Sequence, residues 1–263
     1  MKQPPTLYYR FIRWIARLSF PRADTVFEVE PDEPAVFVCN HSTIIGPVMT
    51  TLHFPLPQTS WTVSNAMSED TAVSYAYHDV LVGRSRRFKG FWRILARIVS
   101  RMLPPVLRCS DVIPVYHDRR IITTFKESVR ALEEGVNLII FGESPERYSE
   151  YVNKLQPGLV DVARLYYRKT KKPLSFYPVY AEKKNHLISV GKPIAYDPDG
   201  DHDEQRESIT DYLSGNIDRL ARQMKPHKPV PFLSERWYAA YGEYEKDAFG
   251  YWKMISEDPE FRK

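Results

Sequence analysis

Cysteine is scarce in this sequence: Cys39 and Cys109 are the two among 263 residues. Two cysteines cannot build a disulfide framework, and they fit a reducing compartment. No stretch approaches the ~18 uncharged apolar residues that a membrane-spanning helix needs. Arg10, Arg13 and Arg17 interrupt the first apolar stretch, which excludes an ordinary secretory signal. These absences predict a cytoplasmic protein.

The remaining composition is that of a globular protein. Apolar residues make up 43% of the chain and charged residues 27%, which excludes wholesale disorder. No residue pattern indicates a metal site. The acidic run Asp197–Glu204 lacks the glycine and the last glutamate of an EF-hand loop, because His202 and Ser208 stand there. This run predicts a turn followed by the start of a helix.

Basic residues are concentrated in two segments. Residues 1–23 carry five basic residues and residues 84–108 carry eight, and neither segment contains an acid. The rest of the chain holds 24 basic and 33 acidic residues, so an acidic body carries two basic patches. The net charge of +4 hides this segregation.

Both basic segments have the spacing of amphipathic helices. Apolar residues recur every three or four positions, and arginines repeat at the same spacing on another side. Such a helix suits an anionic membrane interface, although a surface helix with its stripe in the core gives the same pattern. Nucleic acid is a weaker alternative, because the body is acidic and no binding motif is present. The candidate lipid-contacting residues are Arg13, Trp14, Arg17, Trp92, Arg93, Arg97 and Arg101.

The middle of the chain alternates strands with helices. This alternation predicts an α/β fold, a mixed sheet covered by helices on both faces and preceded by an N-terminal amphipathic helix. The predicted strands are Ala35–Cys39, Thr59–Val63, Asp111–Val115, Val136–Phe141, Leu174–Val179 and His186–Val190. The predicted helices cover about 42–54, 66–80, 88–103, 119–134, 157–170 and 203–224. We expect a helical segment at 1–30, the α/β domain at 31–225, and an aromatic C-terminal extension at 226–263 packed on the domain.

The strongest chemical signal is the stretch Val36–Met49, VFVCNHSTIIGPVM. A buried strand ends there in Asn40 and His41. The carboxyl ends of strands in α/β sheets form the rim where such folds bind ligands. Imidazole titrates near neutral pH, so His41 is a candidate general base, although a lone histidine is more often structural or exposed.

The order of motifs resembles the glycerophospholipid acyltransferases, typified by 1-acylglycerol-3-phosphate acyltransferase. After Asn40-His41 come DVIPVYHDRR at 111–120, LIIFGESPERY at 138–148, FYPVYA at 176–181 and LISVGKPIAYDP at 187–198. The resemblance covers roughly residues 5–225. The later segments also resemble a divergent group of small bacterial acyltransferase-like proteins.

The resemblance implies a reaction and roles for named residues. His41 would take the proton from a lysophospholipid hydroxyl, which attacks the thioester of acyl-CoA or acyl carrier protein. This chemistry converts lysophosphatidate to phosphatidate in phospholipid biosynthesis, with no cofactor beyond the acyl donor and no covalent enzyme intermediate. The expected location is the inner face of the cell membrane, as a peripheral protein. The residues expected to bind substrate are Asn40, Ser42, Glu143, Arg119, Arg120 and Arg147.

Two departures from the family pattern leave alternatives open. The family's aspartate, five residues after the histidine, is here Gly46, and Gly142-Glu143-Ser144-Pro145 replaces the usual Pro-Glu-Gly-Thr. That aspartate would fix the imidazole tautomer and stabilise the imidazolium. The groups that could replace this aspartate as the partner of His41 are a backbone carbonyl, Asp70, Asp79 and Glu143. The alternatives are a catalytically inactive lipid-binding protein of the same fold, and an acyltransferase for a different acceptor.

Overall fold

The computed structural model describes residues 6–31, 33–81, 88–147 and 150–261. Lys2, Arg84, Arg86 and Arg87 of the two basic segments lie outside these residues, as does Tyr148 of the third motif.

A mixed sheet of eight strands forms the centre of the described chain. The spatial order is β1-β7-β6-β2-β5-β3-β4, and β8 pairs with the start of β6. The run from β6 to β4 is parallel, whereas β7 and β8 are antiparallel to β6, and β1 is parallel to β7. The strands are β1 Asp24–Phe27, β2 Val36–Cys39, β3 Gln58–Val63, β4 Val112–Val115, β5 Asn137–Ile140, β6 Ser175–Glu182, β7 Leu187–Val190 and β8 Ile194–Ala195.

Helices cover both faces of this sheet, which confirms the predicted fold class. The helices are α1 Leu7–Ser19, α2 Ile45–His53, α3 Ala72–Tyr75 with a π-helical continuation Ala76–Val80, α4 Lys89–Cys109, α5 Ile121–Glu133, α6 Asp161–Thr170, α7 His202–Gln223, α8 Glu235–Tyr241 and α9 Ala248–Glu257. Central strands buried on both faces need continuous apolar runs. In β2, Val36 and Val38 face the core shared with α5, α6 and α7, while Phe37 and Cys39 face the core shared with α2.

The six predicted strands are all present, and two further strands were not predicted. β1 is a four-residue edge strand with alternating exposure, and β8 has two residues, so neither produces an apolar run. β1 also extends the sheet into the predicted N-terminal segment. The helix predicted at 88–103 continues to Cys109, although Pro104 and Pro105 provide no N–H group. Asp201 caps α7 by accepting from two backbone N–H groups, so the acidic run is a helix start as predicted.

Candidate functional site

The candidate site lies where two adjacent parallel strands end. β2 and β5 are neighbours in register, with Val38 opposite Ile140. The chain therefore leaves both strands at the same edge of the sheet, and His41 and Glu143 follow there. This adjacency is the reason that two motifs about a hundred residues apart meet.

Asn40 fixes the turn that carries His41. Its fully buried side chain donates to the Ala181 carbonyl (3.2 Å) and to the Ser42 hydroxyl (2.7 Å), and it accepts from the Ala181 N–H (2.7 Å). Ser42 and Thr43 then adopt φ values of 45° and 58°. Such left-handed backbone costs about 1 kcal/mol or more at a non-glycine residue. The buried amide network holds this strained turn in place.

Glu143 joins the His41 turn to a second loop. Its Oε1 accepts from the backbone N–H of His41 (2.6 Å) and its Oε2 from the N–H of Asn153 (2.9 Å). Asn153 in turn donates its side-chain amide to the carbonyls of Ser144 (3.1 Å) and Glu146 (2.7 Å). Glu143 is buried, and burial raises its pKa to about 7, while the two N–H groups act in the opposite direction. Glu143 therefore frames the site through the backbone rather than through the imidazole.

We expect Glu143→Gln to remove a pH dependence of stability. Because the pKa of Glu143 is raised on folding, its contribution to stability is complete below pH 4.5 and is lost as pH rises through 7. This loss amounts to about 3 kcal/mol in the free energy of unfolding of the wild type. Urea unfolding of the wild type and the variant between pH 4.5 and 8 gives the difference between their free energies of unfolding. The contributions of the other titrating groups cancel in this difference. A difference that stays constant with pH contradicts the assignment.

The imidazole of His41 is half-buried between aromatic rings. The centroid of its ring lies 5.5 Å from that of Phe141 and 4.6 Å from that of Phe232. Burial lowers the pKa of His41 to about 4, while backbone hydrogen bonds at Thr43 and at His41 itself act in the opposite direction, so the ring is neutral at pH 7 with one nitrogen unprotonated. The buried Nδ1 has no side-chain hydrogen-bond partner among the described residues.

The carboxylates considered as partners for His41 are engaged elsewhere. Glu143 binds the backbone, Asp79 accepts from the Tyr251 hydroxyl (3.1 Å), and Asp70 is exposed. Gly46 excludes the family's aspartate by packing: a Cβ there would lie 2.0 Å from the carbonyl oxygen of Asn40. An aspartate at position 46 would therefore require a different backbone path through this turn, and not only a different side chain.

The three arginines predicted to bind substrate are all exposed and lie on two loops, Arg119 and Arg120 after β4 and Arg147 after β5. Arg120 forms an ion pair with Asp118 (2.7 Å) and lies over the Tyr116 ring. The backbone N–H of Arg147 donates to Glu245. In the described ranges, none of Arg119, Arg120 and Arg147 forms a hydrogen bond or ion pair with His41 or Glu143. Their predicted role in substrate binding stays a prediction.

Sequence reasoning missed three parts of this site. Asn153, which completes the frame around Glu143, gives no signal beyond an asparagine in a loop. Phe141 directly follows β5, so its position next to His41 follows once the strand pairing is known. Phe232 lies almost two hundred residues after His41, and only the fold brings the two rings together.

The two basic helices α1 and α4 contact each other and expose apolar side chains. Trp14 is 56% exposed and Phe91 58% exposed. Arg13, Arg17, Arg97 and Arg101 are also exposed, whereas Arg93 pairs with Glu260, and Trp92 packs inward with the cluster around Ala96. The other exposed apolar residues of this surface are Leu7, Tyr8, Phe11, Ile15, Leu18, Phe88, Ile94, Ile98 and Met102.

A cavity of about 800 Å³ lies next to this surface, between the end of α1, β1 and the end of α2. Arg17, Arg22, Asp24 and His53 line it, and His41 does not. Within the ranges that the structure describes, no helix combines the length and apolarity required to cross a membrane.

Comparison with known proteins gives a limited result. No protein-family model matches the sequence, and no curated protein matches it. Among solved structures, the chain is similar to the 1-acyl-sn-glycerophosphate acyltransferase of Thermotoga maritima, with 13% identity, a TM-score of 0.43, and coverage of 83% of this chain and 81% of that one. A likeness at this level does not identify a family. Functional inference therefore depends on the geometry of the site and on the sequence motifs.

Proposed function

We propose that the protein is an acyltransferase that moves a fatty acyl group from acyl-CoA or acyl carrier protein to the hydroxyl of a lysophospholipid, with lysophosphatidate giving phosphatidate. The observation that carries this proposal is the position of His41 at the carboxyl end of a central parallel strand, framed by the buried Asn40 and Glu143. The acyl donor is a co-substrate, and the proposed reaction needs no resident cofactor.

The proposed step moves one proton through His41. The free nitrogen of the imidazole accepts the proton of the acceptor hydroxyl as its oxygen attacks the thioester carbonyl. A carbon–oxygen bond forms and the carbon–sulfur bond breaks, and the imidazolium returns its proton to the leaving thiolate. Cys39 takes no part, because burial raises the pKa of its thiol and keeps it protonated. Ser42 already accepts a hydrogen bond from Asn40, which suits a positioning role.

The α1–α4 surface is proposed to place this site at an anionic membrane. Exposed apolar side chains beside exposed arginines fit a leaflet whose head groups are negatively charged. Each aromatic side chain that enters the interface contributes roughly 1.5–3 kcal/mol. The arginines add an attraction that salt screens over roughly 10 Å at 0.1 M. This proposal includes the peripheral, cytoplasmic-side location expected from the sequence.

We expect Phe11→Glu together with Phe91→Glu to weaken binding to vesicles containing phosphatidylglycerol by at least about tenfold, because two apolar contacts are replaced by repelled charges. Binding is measured by sedimentation with vesicles at roughly 50 mM and roughly 150 mM salt, because the screening length shortens over this range. Ile122→Glu is the matched control, because Ile122 is 59% exposed on α5. Equal binding by the double variant, or no binding by the wild type at low salt, contradicts the membrane proposal.

A lipid-binding protein without turnover is the second candidate. The observations that favour it are the absence of a carboxylate partner for the His41 imidazole among the described residues and the Phe232 ring packed against that imidazole. Without a carboxylate partner, the imidazolium that forms during reaction lacks its usual stabilisation. This candidate predicts lysophospholipid binding that survives His41→Ala, together with no acyl transfer from any donor.

An acceptor panel tests the proposed substrate class. The wild type is incubated with anionic vesicles, labelled acyl-CoA or acyl carrier protein, and lysophosphatidate, an acyl amino acid or a small alcohol. We expect product with lysophosphatidate. Product with another acceptor alone would support acyltransferase activity and would replace lysophosphatidate as the proposed acceptor.

A further inference from the structure

The C-terminal cap, residues 230–258, runs across the carboxyl edge of the parallel strands. It contacts the segments that follow β2, β3, β4 and β5, which is the rim where the candidate site lies. The contacts are Phe232 against His41 (4.6 Å between centroids), Ser256 to Asn65 (3.4 Å), Trp252 stacked on His117 (4.9 Å, 10° between planes), and the Tyr238 hydroxyl donating to the Glu146 carbonyl. One segment thus contacts the residues that follow four of the parallel strands.

Polar links hold the far end of the cap to the π-helical segment after α3. The two ring nitrogens of the buried His78 face the Tyr241 hydroxyl and the Asp258 carboxylate, the latter at 2.6 Å. Next to them, the Tyr251 hydroxyl donates to the half-buried Asp79 (3.1 Å). Trp237, Tyr251 and Ile255 form the cap's own buried cluster. The cap is therefore a packed unit with a fixed far end.

The segment that carries Phe232, residues 224–234, contains no helix or strand, and Phe232 is half-buried. The His227 ring anchors the start of this segment to the Tyr180 hydroxyl (2.9 Å), and α8 begins at Glu235. Movement of the few residues between these anchors would uncover His41, and the cluster contact that it would disturb is that of Leu233 with Trp237, Tyr251 and Ile255. Local openings of this type have low free energies where few buried contacts must break.

We propose that Phe232 controls access to His41 and thereby determines which acceptors reach it. The Phe232 ring covers one side of the His41 imidazole. An acceptor hydroxyl therefore reaches the unprotonated nitrogen only when Phe232 turns away or when the acceptor takes the place of the Phe232 ring. The identity of the acceptor rests on the proposed function, whereas the control of access does not. A lysophospholipid meets this requirement, because its acyl chain supplies apolar surface where the phenyl ring was.

Chemical modification of histidine tests this proposal without any turnover. Diethyl pyrocarbonate acylates neutral imidazoles, and peptide mass spectrometry gives the rate for each histidine at pH 7.5, about a pH unit above the ordinary histidine pKa. The exposed His186 is the internal reference. We expect His41 to react more slowly than His186 in the wild type. Phe232→Ala should raise the His41 rate by at least about fivefold, with Phe232→Leu in between.

Phe249→Ala is the matched control, because Phe249 is 59% exposed on α9 and belongs to the same cap. It should leave the His41 rate unchanged. An unchanged rate in Phe232→Ala, or equal rates for His41 and His186 in the wild type, overturns the proposal. An increased rate at His41 together with increases at the buried His78 indicates general loosening, which also overturns it. Absence of acyl transfer would refute the proposed function and leave these rates interpretable.

Discussion

We expect replacement of His41 by glutamine to lower the rate of the proposed acyl transfer about 10³-fold, the size of effect that follows removal of a general base. Glutamine keeps a polar side chain between Phe141 and Phe232 but cannot accept the hydroxyl proton at neutral pH. The backbone N–H of residue 41 still donates to Glu143, so the frame of the site is preserved. The loss should therefore appear in kcat, with lysophosphatidate binding almost unchanged.

His186→Asn is the control for this experiment. His186 is exposed and has φ of 52°, a conformation that asparagine tolerates well. Its activity should stay within about twofold of the wild type, as is usual for a surface change away from structural features. A His41→Gln variant that retains wild-type activity would show that another group removes the proton.

We expect Gly46→Asp, which introduces the aspartate of the acyltransferase motif, to destabilise the protein and not to activate it. The new Cβ would lie 2.0 Å from the Asn40 carbonyl oxygen and 3.2 Å from a ring carbon of Phe141. Backbone cannot move aside as cheaply as the end of a side chain, and the carboxylate would enter a buried position. We expect a loss of at least about 3 kcal/mol in the free energy of unfolding.

Two alanine variants separate steric overlap from charge. Gly46→Ala should lose most of the same stability, because the overlap begins at Cβ. Gly215→Ala in the middle of α7 has open space around it and should gain up to about 1 kcal/mol through helix propensity. Chemical denaturation measures the free energy of unfolding of the three glycine variants. A folded Gly46→Asp protein of normal stability with faster acyl transfer would contradict the described turn and show that a carboxylate was the missing partner.

Much of the fold was predictable because its central strands are buried on both faces. Val36–Cys39 is continuously apolar, and so is β5 after its first residue, Asn137. β1 was not predictable, because an edge strand with alternating exposure resembles a loop sequence. The extension of α4 beyond residue 103 was hidden by Pro104 and Pro105, which usually end a helix.

The candidate site was predictable where it depends on strand ends and not where it depends on distant packing. Asn40, His41 and Glu143 follow buried strands, so their motifs identified them. The role of Glu143 was not evident, since only the structure shows that it binds the backbone N–H of His41. The contact of Phe232 with His41 connects segments that no local pattern relates.

The most direct test of the account is the amount of phosphatidate that the wild type forms from lysophosphatidate and an acyl thioester on anionic vesicles. The account predicts repeated turnover, with more than one phosphatidate formed for each protein molecule and release of an equal amount of thiol. No phosphatidate from either acyl-CoA or acyl carrier protein, while lysophosphatidate still binds, would contradict lysophosphatidate as the acceptor, and no product with any other acceptor of the panel would leave the lipid-binding protein as the function.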